Sequence, residues 1–212
     1  MGLTMVVVLH GMFLASLPPG VPVSSRGECV YRCYYQKDCS SLFYDVSTNL
    51  CQLSTEVYLE RDLTNTSSNM QYFVWRRDDC GNDYTWHRSL GLCYKIYTSR
   101  KTWFQVNTTC HQDGGYPIKV DSADINALMN KISDSHYDLF WLGGFLHGIW
   151  TWPDGSIINP FFWDDDQPED IAEKCILIER PKKNFIRRWH DFPCTHATKF
   201  VCQLPLKGKP LR

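Results

Sequence analysis

The feature that most constrains this chain is a set of ten cysteines. They fall into two groups, one over residues 29–51 and the other over residues 80–202. An even number of cysteines in an extracellular chain favours complete pairing in disulfides, which stabilise small domains. A zinc site is disfavoured, because Cys29, Cys33 and Cys39 lie close together without a CxxC or paired-histidine spacing that would complete a ligand set. The pattern predicts two disulfide-bonded modules.

The amino-terminal segment has the composition of a secretory signal. Its apolar core over residues 5–16 is too short to cross a bilayer, and two prolines follow it. No later segment has about 18 continuous apolar residues, so the sequence predicts no membrane anchor. We therefore expect a signal peptide over residues 1–25 and a secreted, extracellular protein. Sequons at Asn65 and Asn107 agree with glycosylation in that compartment.

Charge is nearly balanced overall but is divided along the chain. The formal net charge is −1, so no global charge attracts nucleic acid or an acidic membrane. Near the carboxyl end, acidic residues within 164–173 precede a basic stretch. Two solvated loops are the simpler interpretation of this pattern, and contact with a protein or an acidic glycan is the functional one. The basic residues concerned are Arg180, Lys182, Lys183, Arg187 and Arg188.

The first cysteine group lies in a short helix and a hairpin. Residues 28–37 are predicted to be helical, and Cys29 and Cys33 then share one face because they lie about one turn apart. Short apolar runs at residues 41–45 and 50–53 flank a turn and are typical of paired strands. The sequence therefore predicts a helix followed by a β-hairpin.

This order resembles the PAN/apple-type module, in which a cysteine-bearing helix is followed by Cys-Ser-Ser-x-Phe-Tyr-Asp and Cys-Gln-Leu. The resemblance implies the disulfides Cys29–Cys51 and Cys33–Cys39. The strand that such modules carry before the helix would overlap the signal segment. We therefore expect a truncated module over residues 26–75 that depends on its disulfides for stability. The change of domain is expected between Phe73 and Cys80.

The second cysteine group lies among two predicted helices and several short strands. Residues 101–113 form a helical pattern that ends at two glycines, and Asp121 or Ser122 can cap a second helix. That helix carries apolar residues at helical spacing, and strand-like runs follow it. The runs cover residues 140–143, 148–152, 174–178 and 200–204. Helices followed by strands predict an α+β domain.

Residues 80–204 resemble the C-type lectin-like domain, which leaves a short tail at 205–212. The ordered features that carry the resemblance are Cys80, Cys93-Tyr94, Trp103, Cys110, Trp141-Leu-Gly-Gly144, Trp150-Thr-Trp-Pro-Asp-Gly155, Trp163, Gln167-Pro168, Cys175, Trp189-His-Asp191, Cys194 and Phe200-Val-Cys202. The resemblance implies an α+β fold with two helices, short antiparallel strands and a long loop region. The implied disulfides are Cys80–Cys93, Cys110–Cys202 and Cys175–Cys194. The clustered tryptophans are interpreted as core residues: Trp141, Trp150 and Trp152.

In sugar-binding members of that family, a calcium ion lies in the long loop and sugar hydroxyls coordinate it. The resemblance places the corresponding ligands at Gln167, Glu169, Glu173, His190 and Asp191. Three carboxylates and one amide carbonyl suit Ca²⁺, which prefers hard oxygen ligands. His190 stands where the family has an asparagine, and an imidazole nitrogen is a poor ligand for this ion. The sequence therefore predicts a Ca²⁺ site in which His190 is the weakest candidate.

Sugar preference is predicted from the hydrogen-bond polarity of the loop. Gln167 can donate through its amide, whereas an ionised Glu169 only accepts. That order corresponds to the galactose-type motif of the family, although Glu169 is one methylene longer than the usual aspartate. We expect a secreted glycan-recognition protein with a galactose-type preference. Its sugar-binding residues would be Gln167, Glu169, Glu173 and Asp191.

Of two other classes of function, calcium-independent recognition stays open and catalysis is not expected. The same fold can recognise a protein or an acidic glycan without calcium, in which case residues 167–168 form a turn and the basic stretch contacts the partner. An enzyme is not expected, because the sequence has no Gly-x-Ser-x-Gly, His-Glu-x-x-His or phosphate-binding glycine loop. Glu169 and Glu173 could form the acid pair of a glycosidase, but the resemblance assigns both as cation ligands.

Overall fold

The computed structural model describes residues 3–13, 19–58, 60–65, 69–81, 83–170, 172–179 and 188–206. The chain divides into two units, Met1–Cys93 and Tyr94–Arg212. Each unit combines helix with sheet, in agreement with the predicted α+β class. In the part of the chain that is described, no helix is both long enough and apolar enough to span a membrane.

The described residues contain three α-helices, each begun by a side chain that accepts a hydrogen bond from the first turn. Ser25 and Ser122 cap the first and third helices, and Ser122 is one of the two predicted caps. Thr102 and Gln105 form a reciprocal capping box on the second helix. The helices are α1 (Arg26–Tyr35), α2 (Trp103–Gln112) and α3 (Ala123–His136).

The first unit is built on a five-stranded sheet. Its described strands are β1 (Leu3–His10), β2 (Met12–Phe13), β3 (Val21–Pro22), β4 (Ser41–Asp45), β5 (Leu50–Ser54), β6 (Thr64–Asn65), β7 (Met70–Arg77) and β8 (Thr85–His87). The sheet has the order β1-β7-β4-β5-β3, and β2 pairs with β6 outside it. Short 3-10 turns lie at Glu60–Asp62 and Asp78–Cys80. The antiparallel pairing of β4 with β5 is the predicted hairpin.

The start of this unit differs from the truncated module that the sequence predicted. β1 pairs antiparallel with β7 through a register that places Val6 opposite Val74, so a strand does precede α1. The apolar, valine-rich run that resembles a signal core also suits a strand, because β-branched residues pack well on a pleated sheet. A short apolar run cannot be assigned by periodicity alone, and pairing with β7 supplies the missing information. Removal of residues 1–25 as a signal peptide stays a prediction.

The second unit is built on a mixed sheet that carries the site described below. Its strands are β9 (Leu92–Lys101), β10 (Tyr116–Pro117), β11 (Phe140–His147), β12 (Ile149–Thr151), β13 (Cys175–Glu179), β14 (Arg188–Phe192) and β15 (Thr198–Leu204). The main path runs β14-β13-β11-β15-β9, with β10 paired to β15 and β12 paired to β11. β11 and β15 are parallel, whereas β13 is antiparallel to both β11 and β14.

The core of the second unit explains most of the tryptophan pattern. Trp141, Trp152 and Trp189 are buried, as a core role requires. Trp150 is only half-buried, because it lies on the short strand β12, which pairs with β11 at the side of the main sheet path. The expected core role of Trp150 is therefore wrong. Close packing also explains the glycines beside Trp141, since a Cβ on Gly144 would lie 2.3 Å from Ile176 Cδ1.

Five disulfides join the ten cysteines, and no cysteine is free in the described residues. The pairs are those that the two resemblances implied. In the first unit, Cys29–Cys51 ties α1 to β5. In the second unit, Cys175–Cys194 closes the β13–β14 hairpin. This last bond lies close to the loop that carries the predicted ligands.

Candidate functional site

The predicted ligand residues lie where an irregular loop runs against β14. Trp163 forms a parallel bridge with Trp189, and the backbone N–H of Asp164 donates to the Trp189 carbonyl over 3.0 Å. The buried indole of Trp189 donates through Nε1 to Asn126 Oδ1 on α3 over 3.0 Å. The start of the loop is therefore fixed to a strand that is itself held by the core.

Asp191 anchors the middle of the loop from β14. Its side chain is buried, with the residue 2% exposed. Oδ1 accepts the backbone N–H of Glu169 over 3.0 Å, and Oδ2 accepts that of Asp170 over 2.9 Å. In return, the Asp191 N–H donates to Gln167 Oε1 over 3.2 Å. Hydrogen bonds to a charged acceptor are the stronger kind, so this carboxylate organises the loop.

Gln167 and Glu169 face each other across Pro168. The Gln167 amide donates through Nε2 to Glu169 Oε1 over 2.9 Å, and the Gln167–Pro168 peptide is cis. Gln167 thus uses its amide nitrogen toward Glu169 and its carbonyl oxygen toward the strand. The donor and acceptor roles of these two side chains are the ones expected from the sequence.

Glu173 completes an acidic cluster. Its backbone N–H donates to the Asp170 carbonyl over 2.9 Å, which turns the chain back toward β13. Partial burial raises the pKa of its carboxyl, and repulsion from Asp191, Asp170 and Glu169 raises that pKa further. Because like charges disfavour one another, the cluster favours a positive charge at this edge of the sheet.

His190 does not join the other predicted ligands. Successive side chains of a strand point to opposite faces, so His190 projects away from the face on which Asp191 holds the loop. Its Nε2 lies 3.4 Å from Asp164 Oδ2, and Arg188 Nε lies 3.9 Å from the other oxygen of the same carboxylate. His190 therefore neighbours Asp164, at the start of the loop, and its assignment as a metal ligand stays a prediction.

Asp164 and Asp170 are site residues that the sequence reasoning did not single out. Asp164 fixes the start of the loop, and Asp170 accepts the Ala172 N–H through Oδ1 over 2.8 Å. Both belong to the acidic run that was interpreted as solvated. Sequence patterns identify functional positions most readily on regular strands and helices, where the spacing of residues shows which of them share a face. Asp164 and Asp170 lie on an irregular loop, which has no such spacing.

The four predicted ligands have side chains of the kind that binds Ca²⁺, but these side chains do not converge on one point. Glu169, Glu173 and Asp191 offer hard oxygen atoms and Gln167 offers a neutral carbonyl, which are the ligands that calcium prefers. Among the described residues, however, no group of three His, Cys, Asp or Glu side chains converges closely enough to hold a metal. Both Asp191 oxygens accept backbone N–H groups, so a metal would have to use their remaining lone pairs.

Other predicted residues are placed less completely. Four of the five basic residues lie outside the described residues: Arg180, Lys182, Lys183 and Arg187. Arg188 is described, on β14 beside Asp164. The Asn65 backbone forms part of β6, whereas its side chain is outside the description. Asn107 lies partly exposed on α2, and its carbonyl contacts His111 Nδ1 at 2.7 Å.

Comparison with known protein families accounts for both units. The sequence model described as Lectin C-type domain matches residues 99–204, and the one described as PAN domain matches residues 9–76. The chain therefore belongs to the C-type lectin domain family and carries a PAN domain ahead of the lectin domain. The PAN match begins within β1, in agreement with the strand that precedes α1.

Two curated relatives illustrate the range of proteins that share this domain. C-type lectin lectoxin-Lio3 from Erythrolamprus poecilogyrus is 32% identical over 126 residues, which cover 55% of this chain and 76% of that protein. Versican core protein from Rattus norvegicus is 27% identical over 128 residues, which cover 57% of this chain but 4% of that protein. The chain therefore spans only a small part of the versican relatives.

Solved structures share the fold at lower sequence identity. The structure titled SPL-1–GlcNAc complex has a TM-score of 0.54 and 20% identity, and the match covers 59% of this chain and 95% of that one. A calcium-independent type II antifreeze protein has a TM-score of 0.50 and 22% identity, with 58% and 92% covered. Proteins of this fold thus include a sugar complex and a calcium-independent form.

Proposed function

We propose that this protein is a secreted, non-catalytic carbohydrate-recognition protein. Its glycan-binding residues are Gln167, Glu169, Glu173 and Asp191. The observation that carries the proposal is the position of Asp191 at one edge of the sheet. Its buried carboxylate accepts the backbone N–H groups of residues 169 and 170, and its own backbone N–H donates to the Gln167 side chain. A site built on a buried anchor presents its polar groups in a fixed arrangement, which favours recognition of a polar ligand.

In this proposal, Ca²⁺ is held by the carboxylates of Glu169, Glu173 and Asp191 and by the Gln167 carbonyl. The ion would supply a point to which vicinal sugar hydroxyls coordinate. The acidic cluster supports this assignment, because a divalent cation would relieve the repulsion that raises the Glu173 pKa. His190 is not part of the proposed ligand set.

The proposed sugar preference is of the galactose type. The Gln167 amide and the Glu169 carboxylate satisfy each other over 2.9 Å. A sugar hydroxyl both donates and accepts, so it can replace this contact by accepting from Gln167 and donating to Glu169.

Glycosylation at Asn65 and Asn107 is part of the same proposal, since modification of either sequon requires a secreted chain.

Calorimetric titration with Ca²⁺ tests the cation site directly. We expect binding by the unaltered protein and its loss in Glu173→Ala, with Asp165→Asn as the control, because Asp165 is an exposed acid outside the ligand set. Methyl galactoside is then compared with methyl mannoside in calcium and in excess EDTA. Sugar binding that persists unchanged in EDTA would rule out the calcium-centred form of the proposal.

A second candidate function is recognition of a protein or an acidic glycan without calcium. Both oxygens of Asp191 already accept backbone N–H groups, so the loop is held without an ion, and this observation favours the alternative. The basic residues Arg187 and Arg188 would then contact the partner. Heparin binding that is lost in Arg187→Gln/Arg188→Gln but retained in Glu173→Ala would support it over the calcium-dependent site.

A further inference from the structure

A cavity of about 540 Å³ opens beside the site loop within the second unit. One wall is the hairpin of β11 and β12, and the opposite wall is the segment that follows the Gln167–Pro168 peptide. The segment between these walls adds two large apolar side chains. The lining residues are Leu146, Gly148, Ile149, Trp150, Ile157, Phe161, Pro168, Glu169 and Asp170. Cavities of small-molecule sites span about 300–1,000 Å³, so this one has the volume of a ligand site.

The cavity exposes large apolar side chains to water. Ile149, Ile157 and Phe161 are 53%, 65% and 43% exposed, and all three line the same opening. Single exposed apolar residues are ordinary, but a contiguous group of them marks a surface that binds something. Burial of these side chains under an apolar ligand would remove that surface from water and stabilise the complex.

Aromatic packing supports the wall of the cavity. The Phe161 ring stacks on Trp163 with 5.7 Å between centroids, and the Trp150 ring meets Trp163 edge-on at 5.1 Å. Trp163 in turn contacts the buried Trp189, with centroids 5.9 Å apart. Phe161 and Trp150 therefore rest on the core, which supports the cavity before a ligand arrives.

The polar side chains of the lining are both acidic. Glu169 and Asp170 lie on one rim, and their backbone N–H groups are held by the buried Asp191. Glu169 accepts from Gln167 and Asp170 accepts from the Ala172 N–H, so neither carboxylate pairs with a cation among the described residues. A rim with two carboxylates attracts a positively charged group and repels an anion.

We propose that this cavity binds a small cationic amphiphile, a molecule with an aliphatic or aromatic body and one primary ammonium group. The apolar body lies against Ile149, Ile157 and Phe161, and the ammonium group lies at Glu169 and Asp170. This ligand class matches both the apolar lining and the charge of the rim. The inference needs neither a bound calcium ion nor a glycan, so it stands apart from the function proposed above.

Three probes with the same six-carbon body test the charge preference: hexylammonium, hexanol and hexanoate. Their dissociation constants are measured by calorimetry in EDTA. We expect hexylammonium to bind about two- to fivefold more tightly than hexanol, because an exposed ion pair contributes up to about 1 kcal/mol. Hexanoate should bind most weakly. Each methylene added between butylammonium and octylammonium should strengthen binding by up to about fourfold while the body stays in contact with the cavity.

Matched variants separate the two halves of the cavity. Ile157→Asn should weaken the ammonium and alcohol probes alike, whereas Asp170→Asn should weaken only hexylammonium and keep the hydrogen bond to the Ala172 N–H. Tyr137→Asn is the control for an exposed ring and Asp165→Asn for an exposed acid, since neither residue lines the cavity. Equal binding of hexanoate and hexylammonium, or unchanged binding by Ile157→Asn, would overturn the assignment.

Two further measurements distinguish this inference from the proposed function. If Ca²⁺ binds Glu169, saturating calcium should reduce the preference for hexylammonium over hexanol. A preference that is the same in calcium and in EDTA supports the cavity and argues against calcium at Glu169. A short peptide of alternating leucine and lysine that binds more tightly than octylammonium would overturn the small-molecule form of the inference.

Discussion

Replacing Asp191 by asparagine removes the charge from the buried group that organises the candidate site. The aspartate accepts two backbone N–H groups, from Glu169 and Asp170. An asparagine side chain has one carbonyl oxygen, so it can accept one of them, while its amide would face the other as a second donor. Hydrogen bonds to a charged group contribute about 1.5–3 kcal/mol each. We therefore expect Asp191→Asn to lower the free energy of unfolding by about 2 kcal/mol, since one such bond is lost.

Urea unfolding of the oxidised protein, followed by near-ultraviolet circular dichroism, measures this change. The midpoint should fall while the slope of free energy against urea stays the same. Asp165→Asn is the control, because an exposed acid that organises no other group should change stability by less than about 0.5 kcal/mol. A second readout is the pKa of Glu173, followed by NMR of its carboxyl carbon. That pKa should fall in Asp191→Asn, because Asp191 is one of the charges that raise it.

A loss of stability below about 0.5 kcal/mol would refute the anchoring role of Asp191. An unchanged Glu173 pKa would refute the electrostatic account of the cluster, whatever the change in stability. The two readouts are independent, because hydrogen bonds to the loop backbone determine the first and the charge on Asp191 determines the second. Asp191→Ala distinguishes a loss of charge from a loss of the acceptor, since it removes both N–H contacts and should destabilise more than asparagine.

Three further predictions follow from the described contacts. The raised pKa of Glu173 means that the folded state holds this proton to higher pH than the unfolded state does. The contribution of Glu173 to stability is therefore lost as pH rises through the folded pKa. Glu173→Gln should flatten that part of the curve of stability against pH. Asp154 accepts from the buried Lys119 ammonium over 2.8 Å, whereas Asp121 lies 3.6 Å from the same nitrogen. Asp154→Asn should destabilise by about 2 kcal/mol in urea unfolding, because it removes the shorter of two ion pairs made by a buried lysine. A chain that begins at residue 26 lacks β1, β2 and β3, and of these β1 is the strand that pairs with β7 in the five-stranded sheet. Its β7 amide hydrogens should therefore exchange faster than those of the full chain. Equal exchange rates would contradict the structural role of β1.

The electrostatics around Asp154 have a pH dependence of the opposite sign. Burial would raise the pKa of this carboxyl, but hydrogen bonds from Lys119 and Ser156 outweigh burial and lower it. A lowered carboxyl pKa contributes stability that is present above the unfolded pKa and is lost as pH falls through the folded one. The Asp154→Asn variant should therefore lose less stability on acidification than the unaltered protein does.

Much of the fold could be predicted from the sequence because its signals are local. Ser122 lies directly before the helix that it caps, and the two short apolar runs around the turn within 41–53 mark the β4–β5 hairpin. The disulfide pairs were available only through resemblance to known families, since ten cysteines allow many pairings and spacing does not choose among them. Trp150 shows the limit of this reasoning, because an aromatic residue in a tryptophan-rich stretch has the same local pattern whether its strand is covered or open.

The candidate site could be predicted in part, and each failure has a geometric cause. Gln167, Glu169 and Asp191 are brought together as expected. His190 is not, because adjacent residues of a strand point to opposite faces and its neighbour Asp191 already faces the loop. The apolar cavity was not predicted from the sequence. Its walls come from segments that are separated by a turn and a loop, and only folding brings these segments together.

The sequence by itself determined which modules this chain contains. The cysteines, tryptophans and turn residues occur in short stretches and in a fixed order, so their pattern can be recognised from the sequence alone. The tertiary structure alone decided that residues 3–10 form a strand beside β7 and that Asp191 holds the loop through backbone N–H groups. It also decided that acidic and apolar side chains share one cavity. The physical reason is that strand pairing, burial and hydrogen bonds to the backbone depend on partners distant in sequence, which a linear pattern does not specify.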